Sequence, residues 1–274
     1  MVESSDELIE RAAESLARSE YAIALTGAGM STESGIADFR GPSGVWTKDP
    51  KAEEDAYKTY PRLLEDPKGW WEDTLSQPVS GRESLEKAAP NSGHYALAKL
   101  EQIGVLRWTL TQNIDALHEK AGSKNLLEYH GTISKLRCMT CNARYPRDAF
   151  DFEQLKEDGL LPPRCSPCQG VLKSDVVYFG EPIPSDVAYQ SDEEARNCDV
   201  MLVCGTSAVV YPFANLPRIA GQGSRERARA ASVIEVNAEP TPLTEEHVSD
   251  YLIQGNTGDI LPAIVEAVKA KLNV

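Results

Sequence analysis

Six times along this chain a short apolar run ends abruptly in glycine or polar residues: YAIALTGAG, GVLRWTLTQN, NLLEYHG, VVYFGE, CDVMLVCGTS and ASVIEVNAE. Near-continuous apolar runs of this length read as strands covered on both faces, not as strands with one wet side. Between most of them, apolar residues recur at helical spacing over 5–19, 91–103, 114–121, 184–196, 212–221 and 259–272. The first of these carries a capping signal at Ser4 or Ser5. Strands alternating with helices need crossover connections, which make the strands parallel and lay helices on both sides of the sheet. The pattern predicts a doubly wound α/β domain.

Two stretches break that rhythm. Residues 41–90 hold Pro, Lys, Glu and aromatic side chains in short helical patterns with no clear strand. Residues 132–175 contain two cysteine pairs and the Pro-rich LLPPRCSPCQG. Both read as insertions that together build a smaller domain, helical in its first part and metal-binding in its second. The sheet domain would then comprise 1–40, 91–131 and 176–274.

The pairs are Cys138-x-x-Cys141 and Cys165-x-x-Cys168. In a chain whose acidic, amphipathic N-terminus is no secretion signal, such spacing points to a four-thiolate zinc site, not to disulfides. Four thiolates fill a tetrahedral sphere and leave no place for water, so this zinc would be structural. Cys198 and Cys204 sit in or beside an apolar run and read as packing residues. No apolar run approaches the roughly 18 residues of a membrane span, and the expected location is the cytoplasm. With 42 acidic against 28 basic residues the formal charge is −14, which argues against sequence-independent nucleic-acid binding and suits a cationic partner such as a lysine-rich segment, simple solubility or a salty cytosol.

In open parallel sheets ligands bind beyond the carboxyl ends of the strands, so the polar tips are the candidate site. They are Gly27-Ala28-Gly29, Gln112-Asn113-Ile114-Asp115, His130-Gly131, Gly205-Thr206-Ser207 and Asn237-Ala238-Glu239. Glycines let backbone approach a phosphate, while Asn237 and Glu239 suit ribose hydroxyls or an adenine edge. The usual dinucleotide fingerprint is incomplete, because Thr32 stands where G-x-G-x-x-G needs its last glycine. The chain then enters SGIADFRGPSGVW, which offers Asp38, Phe39 and Arg40 on a loop. An arginine can pair with pyrophosphate, and an aromatic ring can shield a reacting sugar from water. A nucleotide that is cleaved fits this inventory better than one used for reversible hydride transfer.

GAGMSTESGIADFRG, TQNIDALHEKAG, HG, the two C-x-x-C pairs, VVYFGE, GTS and VNAE occur in the order found in sirtuins, and the chain resembles that family over about residues 20 to 270. The resemblance implies an NAD-dependent protein lysine deacylase with a Rossmann-like large domain, a small zinc domain and NAD in the cleft between them. It implies that Gly27, Ala28, Gly29, Asp38, Phe39 and Arg40 line the pyrophosphate and nicotinamide-ribose region. Gln112, Asn113, Ile114 and Asp115 would surround the ribose and nicotinamide. Gly205, Thr206, Ser207, Asn237 and Glu239 would hold the adenosine half, with Gly258 and Asp259 closing over adenine. His130 takes the proton-acceptor place beside catalytic Asn113 and Asp115. Val177, Tyr178, Phe179, Gly180 and Glu181 belong to the segment that adds a strand to an extended acyl-lysine peptide. Nicotinamide, free lysine and O-acyl-ADP-ribose would be the products. An imidazole with an ordinary pKa of about 6.5 is suited to take a ribose hydroxyl proton near neutrality.

The chain departs from the family pattern at Ala37 and Ser174, where proline is common. Around GWWEDTLSQ it has Trp70 and Trp71 and lacks the Tyr-x-x-Arg pair associated with acidic acyl groups, so neutral acyl groups are expected. The tryptophans themselves read as core or domain-interface anchors. Asn113 and Asp115 equally suit the start of a helix near Ile114, as cap and first-turn carboxylate. His94, His118 and His247 read as surface or packing residues. Mono-ADP-ribosyl transfer, plain NAD hydrolysis and a non-catalytic NAD- or acyl-lysine-sensing module remain the alternatives.

Overall fold

The computed structural model describes residues 3–39, 41, 44–76, 85, 87–222 and 230–274. Its main sheet contains strands β1 (Ala22–Thr26), β2 (Leu106–Thr111), β3 (Leu126–Glu128), β7 (Val200–Cys204), β8 (Ser232–Asn237) and β9 (Tyr251–Gln254) in the order β3-β2-β1-β7-β8-β9. Every pairing in this sheet is parallel. The order runs outward from β1 in one direction and from β7 in the other, so the switch point lies between β1 and β7. That is where a doubly wound sheet opens a crevice.

Period-2 alternation inside the strands explains why both faces are apolar. Ala22 and Ala24 of β1 point into a cluster with Leu16 of the helix Ser5–Arg18, Leu97 and Leu100 of Ser92–Gln102, and Ile264 of Thr257–Leu272. Ile23 and Leu25 point to the other side, where Ala195 of Ser185–Asn197 and Leu216 of Leu216–Gly221 cover them. Ser4 caps the first helix in a capping box with Glu7.

Two strand readings change. VVYFGE is a loop ending in a turn, because Val177 bonds only to the backbone of His130 and the chain then folds back at Tyr178–Glu181. The sixth strand is instead YLIQ at the sheet edge, whose short and partly exposed run gave a weak apolar signal. The helix read at 114–121 begins only at Leu117, since Ala116 adopts a left-handed φ of 60°.

The second unit gathers a small antiparallel sheet, order β5-β4-β6, from β4 (Lys135–Cys138), β5 (Arg144–Pro146) and β6 (Leu172–Ser174). The short helices Val45–Lys48, Pro50–Ala56, Thr59–Glu65 and Pro67–Ser76 come from the first interruption. A third apolar cluster joins the two stretches through Leu63, Trp70 and Trp71 on one side and Leu136, Leu161 and Leu172 on the other. Trp71 is fully buried and its indole N–H donates to the Leu172 carbonyl at 2.9 Å, so the tryptophans are core anchors. The Sγ atoms of Cys138, Cys141, Cys165 and Cys168 all lie within 4.8 Å of one another. Cys198 and Cys204 are buried, and burial pushes the Cys204 thiol up to about 12. Among the described residues no helix is long and apolar enough to cross a membrane.

Candidate active site

A cleft of about 1050 Å³ opens at the carboxyl ends of the strands, over the β1/β7 switch point. Its floor depends on two glycines. The Gly29 amide donates to the Gly205 carbonyl at 2.8 Å, and a Cβ at Gly29 would sit 2.8 Å from that oxygen. Gly205 has φ +57°, and a Cβ there would collide with the Met30 amide. Close approach of the β1 and β7 tips therefore requires glycine at both places.

Ala28, Gly29, Asp38, Phe39, Gln112, Asn113, Ile114, Asp115 and His130 all line this cleft, as do Gly205, Thr206, Ser207, Asn237 and Glu239. Val177, Tyr178, Phe179, Gly180 and Glu181 line it from the side of the small unit. Three of the expected residues do not reach it. Gly27 is buried behind the wall, where its carbonyl accepts from Asn113 Nδ2 at 2.9 Å. Gly258 is buried with its amide bound to Glu33 at 2.8 Å, and Asp259 faces solvent at the start of the last helix. Their neighbours Gly255, Asn256 and Thr257, at the tip of β9, take that stretch of the lining. Arg40 lies outside the described residues.

Asp115 is 4% exposed and its oxygens are both engaged. Oδ1 accepts from the Leu117 amide at 2.9 Å, at the start of a short helix whose N-cap, Ala116, provides no side-chain cap. Oδ2 accepts from Ser31 Oγ at 2.7 Å, and Ser31 Oγ in turn accepts from Asn113 Nδ2 at 3.1 Å. Ser31 escaped the sequence reading because it lies inside the Gly-rich turn, where a serine looks like turn chemistry. Behind Asp115 the rings of His94 and His118 sit 4.8 Å apart, both buried, with His118 Nε2 2.9 Å from Thr26 Oγ1. They are packing residues, and burial lowers them to about 4 and about 3. His247 is exposed.

His130 stands at the end of β3 against Tyr129 and Phe213. Its Nδ1 donates to the Gln112 carbonyl at 3.2 Å, which leaves Nε2 as the basic nitrogen. Burial pulls the imidazole below its ordinary pKa, partly opposed by the Gln112 hydrogen bond. Gly131 follows with φ +72°, and a Cβ there would collide with the Asp175 carbonyl.

Two further features were not legible as site residues. The loop Val209–Pro212 also lines the cleft, and Val209 and Tyr211 are exposed on it. Phe39, Trp46, Phe179 and Tyr57 form an aromatic chain at the mouth in that order, with successive centroids 4.9, 5.2 and 4.9 Å apart. Among the described lining residues there is no lysine or arginine, while Glu33, Asp38, Asp115, Glu181 and Glu239 are acidic.

The thiolate cluster fits zinc on its own geometry. Neighbouring sulfurs are 3.4 to 3.6 Å apart, close to the roughly 3.8 Å edge of a tetrahedron with Zn–S of about 2.3 Å.

Residues 27–212 match the model of the Sir2 family. The chain is 40% identical over 263 residues to NAD-dependent protein deacylase 2 of Pyrobaculum aerophilum, covering 95% of this chain and 96% of that protein. A solved complex of a Sir2 homologue with NAD superposes with a TM-score of 0.74 at 38% identity, over 96% of this chain and 94% of the other. A Sir2 structure holding a deacetylated p53 peptide and 3′-O-acetyl ADP-ribose gives a TM-score of 0.73 at 28% identity, over 94% and 97%.

Proposed function

The chain belongs to the Sir2 family, and from that premise we propose the part each residue plays in its reaction. It is an NAD-dependent protein deacylase that moves the acyl group of acyl-lysine to ADP-ribose, releasing nicotinamide and O-acyl-ADP-ribose. The observation that carries the residue roles is the convergence of His130, Asn113 and Asp115 from two strand ends on one cleft.

The cleft fits NAD in its chemistry: glycine backbone at the switch point for phosphate, polar side chains for riboses and a buried carboxylate for the reacting sugar. When bound, NAD would supply the ADP-ribosyl group that takes up the acyl group, with nicotinamide and the lysine amine as leaving groups and one water consumed. Asp115 offers negative charge to the sugar as nicotinamide departs, and Ser31 and the Leu117 amide hold it in place. Asn113 is anchored by Gly27 and Ser31, so its amide is preset before any ligand enters. His130 takes a ribose hydroxyl proton on Nε2, because Nδ1 is committed to Gln112. Ala28, Gly29, Asp38, Phe39, Gln112 and Ile114 surround the pyrophosphate, nicotinamide and its ribose. Gly205, Thr206, Ser207, Asn237 and Glu239 hold the adenosine half, now joined by Asn256 and Thr257 in place of Gly258 and Asp259. Backbone N–H groups at the glycine tips join Arg40 in recognising the pyrophosphate.

The peptide lies between Val177–Glu181 and Val209–Pro212, reading acyl-lysine proteins through backbone groups. The aromatic mouth, with a GWWEDTLSQ stretch that carries no Tyr-x-x-Arg pair, favours neutral acyl groups. Zinc is held by Cys138, Cys141, Cys165 and Cys168 and supplies cross-linking alone. The domain limits of 1–40, 91–131 and 176–274 against 41–90 and 132–175 belong to this reading, supported by the separate third core. So does a cytoplasmic location, which keeps such thiols reduced, and the absence of nucleic-acid and membrane partners, supported by the net charge of −14.

Incubation with NAD and an acetyl-lysine peptide should release nicotinamide and deacetylated peptide in equal amounts. Nicotinamide release that needs no peptide, or label from adenine-labelled NAD on protein, would overturn this reading in favour of hydrolysis or ADP-ribosyl transfer.

A further inference from the structure

The loop Val176–Gly180 packs its Tyr178 and Phe179 rings on neighbouring aromatics, and its backbone is held from below by charges. Arg137 of β4, 6% exposed, donates through Nε to Asp175 Oδ1 at 2.8 Å and through an Nη to Glu181 Oε1 at 2.6 Å. One guanidinium thus bridges the residues on either side of the loop. Lys173 of β6 is fully buried, and three acceptors surround its ammonium: the Ser174 and Val176 carbonyls at 2.9 and 2.6 Å, and Glu181 Oε2 at 3.0 Å. Glu181 Oε2 also accepts from the Tyr178 amide at 3.0 Å, closing the turn. Arg144 completes the cluster, reaching Asp175 Oδ2 at 3.1 Å and Asp186 at 2.7 Å. On its upper side the loop donates from the Val177 amide to the His130 carbonyl at 2.8 Å.

Buried ion pairs stabilise a fold poorly compared with apolar side chains of the same volume, so stability alone does not account for these charges. What they add is direction. A planar guanidinium and a three-donor ammonium fix the orientation of carboxylates and carbonyls that greasy packing would leave free to slide. Glu181 turns its carboxylate toward Arg137 and Lys173, so its part in the site is to hold the loop, beyond the lining role it has in the deacylase reading.

We propose that Arg137 and Lys173 are positioning residues for the acyl-lysine peptide: through Asp175, Glu181 and the Val176 carbonyl they set the course of the peptide-facing loop past His130 without touching peptide or NAD. This rests on the deacylase reading of the cleft. The clamp governs peptide capture, because its attachments lie on the loop and none reaches the β1 and β7 tips where the dinucleotide is held.

The test compares the wild type with Lys173→Met and its conservative partner Lys173→Arg, in the zinc-loaded full chain, using an acetyl-lysine peptide and NAD. Lys173→Met should raise the peptide KM at least about tenfold while NAD affinity by calorimetry changes less than about twofold. The Val177 amide should exchange with deuterium faster, and Lys173→Arg should recover most of both losses. A folded Lys173→Met with unchanged peptide KM, or with NAD affinity lost in parallel, overturns the proposal. Should Lys173→Met fail to fold, Arg144→Gln at the rim of the cluster carries the test, with a peptide KM raised about threefold expected and an unchanged KM fatal. Wild-type protein that does not deacylate the peptide would instead sink the deacylase reading, a result distinct from an active wild type whose variants are unaffected.

Discussion

His130 Nδ1 lies 3.2 Å from the carbonyl oxygen of Gln112, so the imidazole is oriented by the backbone of the neighbouring strand tip. A carbonyl accepts only from N–H, which fixes the neutral tautomer with Nε2 unprotonated. Burial keeps the ring neutral to a lower pH than a free histidine. The acid limb of kcat for deacylation should therefore fall below the ordinary imidazole value of about 6.5. Replacing His130 by Ala should lower deacylation by about 10²- to 10⁴-fold, measured as O-acyl-ADP-ribose formed. A limb centred above 6.5 would contradict the assignment.

Ser31 is the hydroxyl between Asn113 and Asp115. Ser31→Ala removes a donor from a buried carboxylate, a bond worth about 1.5 to 3 kcal/mol. Peptide-dependent nicotinamide release should fall roughly 10- to 100-fold, and the melting temperature should drop by roughly 3 to 12 °C. Wild-type turnover by this variant would remove Ser31 from the site.

Gly205→Ala places a methyl group against the Met30 amide at a left-handed backbone position. The β1 and β7 tips would have to separate, at a cost of about 1 to 3 kcal/mol. Thermal unfolding should show that loss, and calorimetry should show weakened NAD binding. A variant that binds NAD like the parent would mean the close approach of Gly29 and Gly205 is dispensable.

Metal analysis should find one zinc per chain, lost in Cys165→Ser. Because Cys138 and Cys165 share the small core with Trp70 and Trp71, stripping the metal should expose Trp71 and shift its fluorescence to longer wavelength. The main sheet should keep its far-ultraviolet signal. An unshifted emission would show that the small core stands without its metal.

His94 and His118 are held neutral by burial, at about 4 and about 3. In the unfolded chain both titrate near 6.5, so between 6.5 and those values the unfolded state binds more protons. Their contribution to stability is complete above about pH 6.5 and is lost as pH falls toward 4 and then 3. Urea unfolding at pH 7.5, 6.5 and 5.5 should show the decline. His118→Gln should flatten it by up to about 1.4 kcal/mol per pH unit. An equally steep decline in the variant would place the acid sensitivity elsewhere.

Much of the fold was readable because burial on both faces leaves an unbroken apolar run, as in AIALT and VMLVC. The same rule failed at opposite extremes. VVYFGE has strand composition, yet its hydrogen bonds go to the His130 backbone and into its own turn. YLIQ forms a strand at the sheet edge, where half-exposure weakens the signal. The polar tips named most of the cleft, but Ser31 and the loop Val209–Pro212 carried no distinguishing local pattern.

Chemistry attached to local pattern was set by the sequence itself: strand order of types, glycines at turns, four thiolates in two pairs, and a histidine closing a strand. Which groups face one another was decided only by the tertiary structure. Asp115 was tied to Ser31 and the Leu117 amide, Gly258 turned to Glu33 instead of the cleft, and Glu181 was drawn down to Arg137 and Lys173. Side-chain direction depends on partners distant in the chain, and a linear pattern holds no record of them until packing brings them within hydrogen-bond reach.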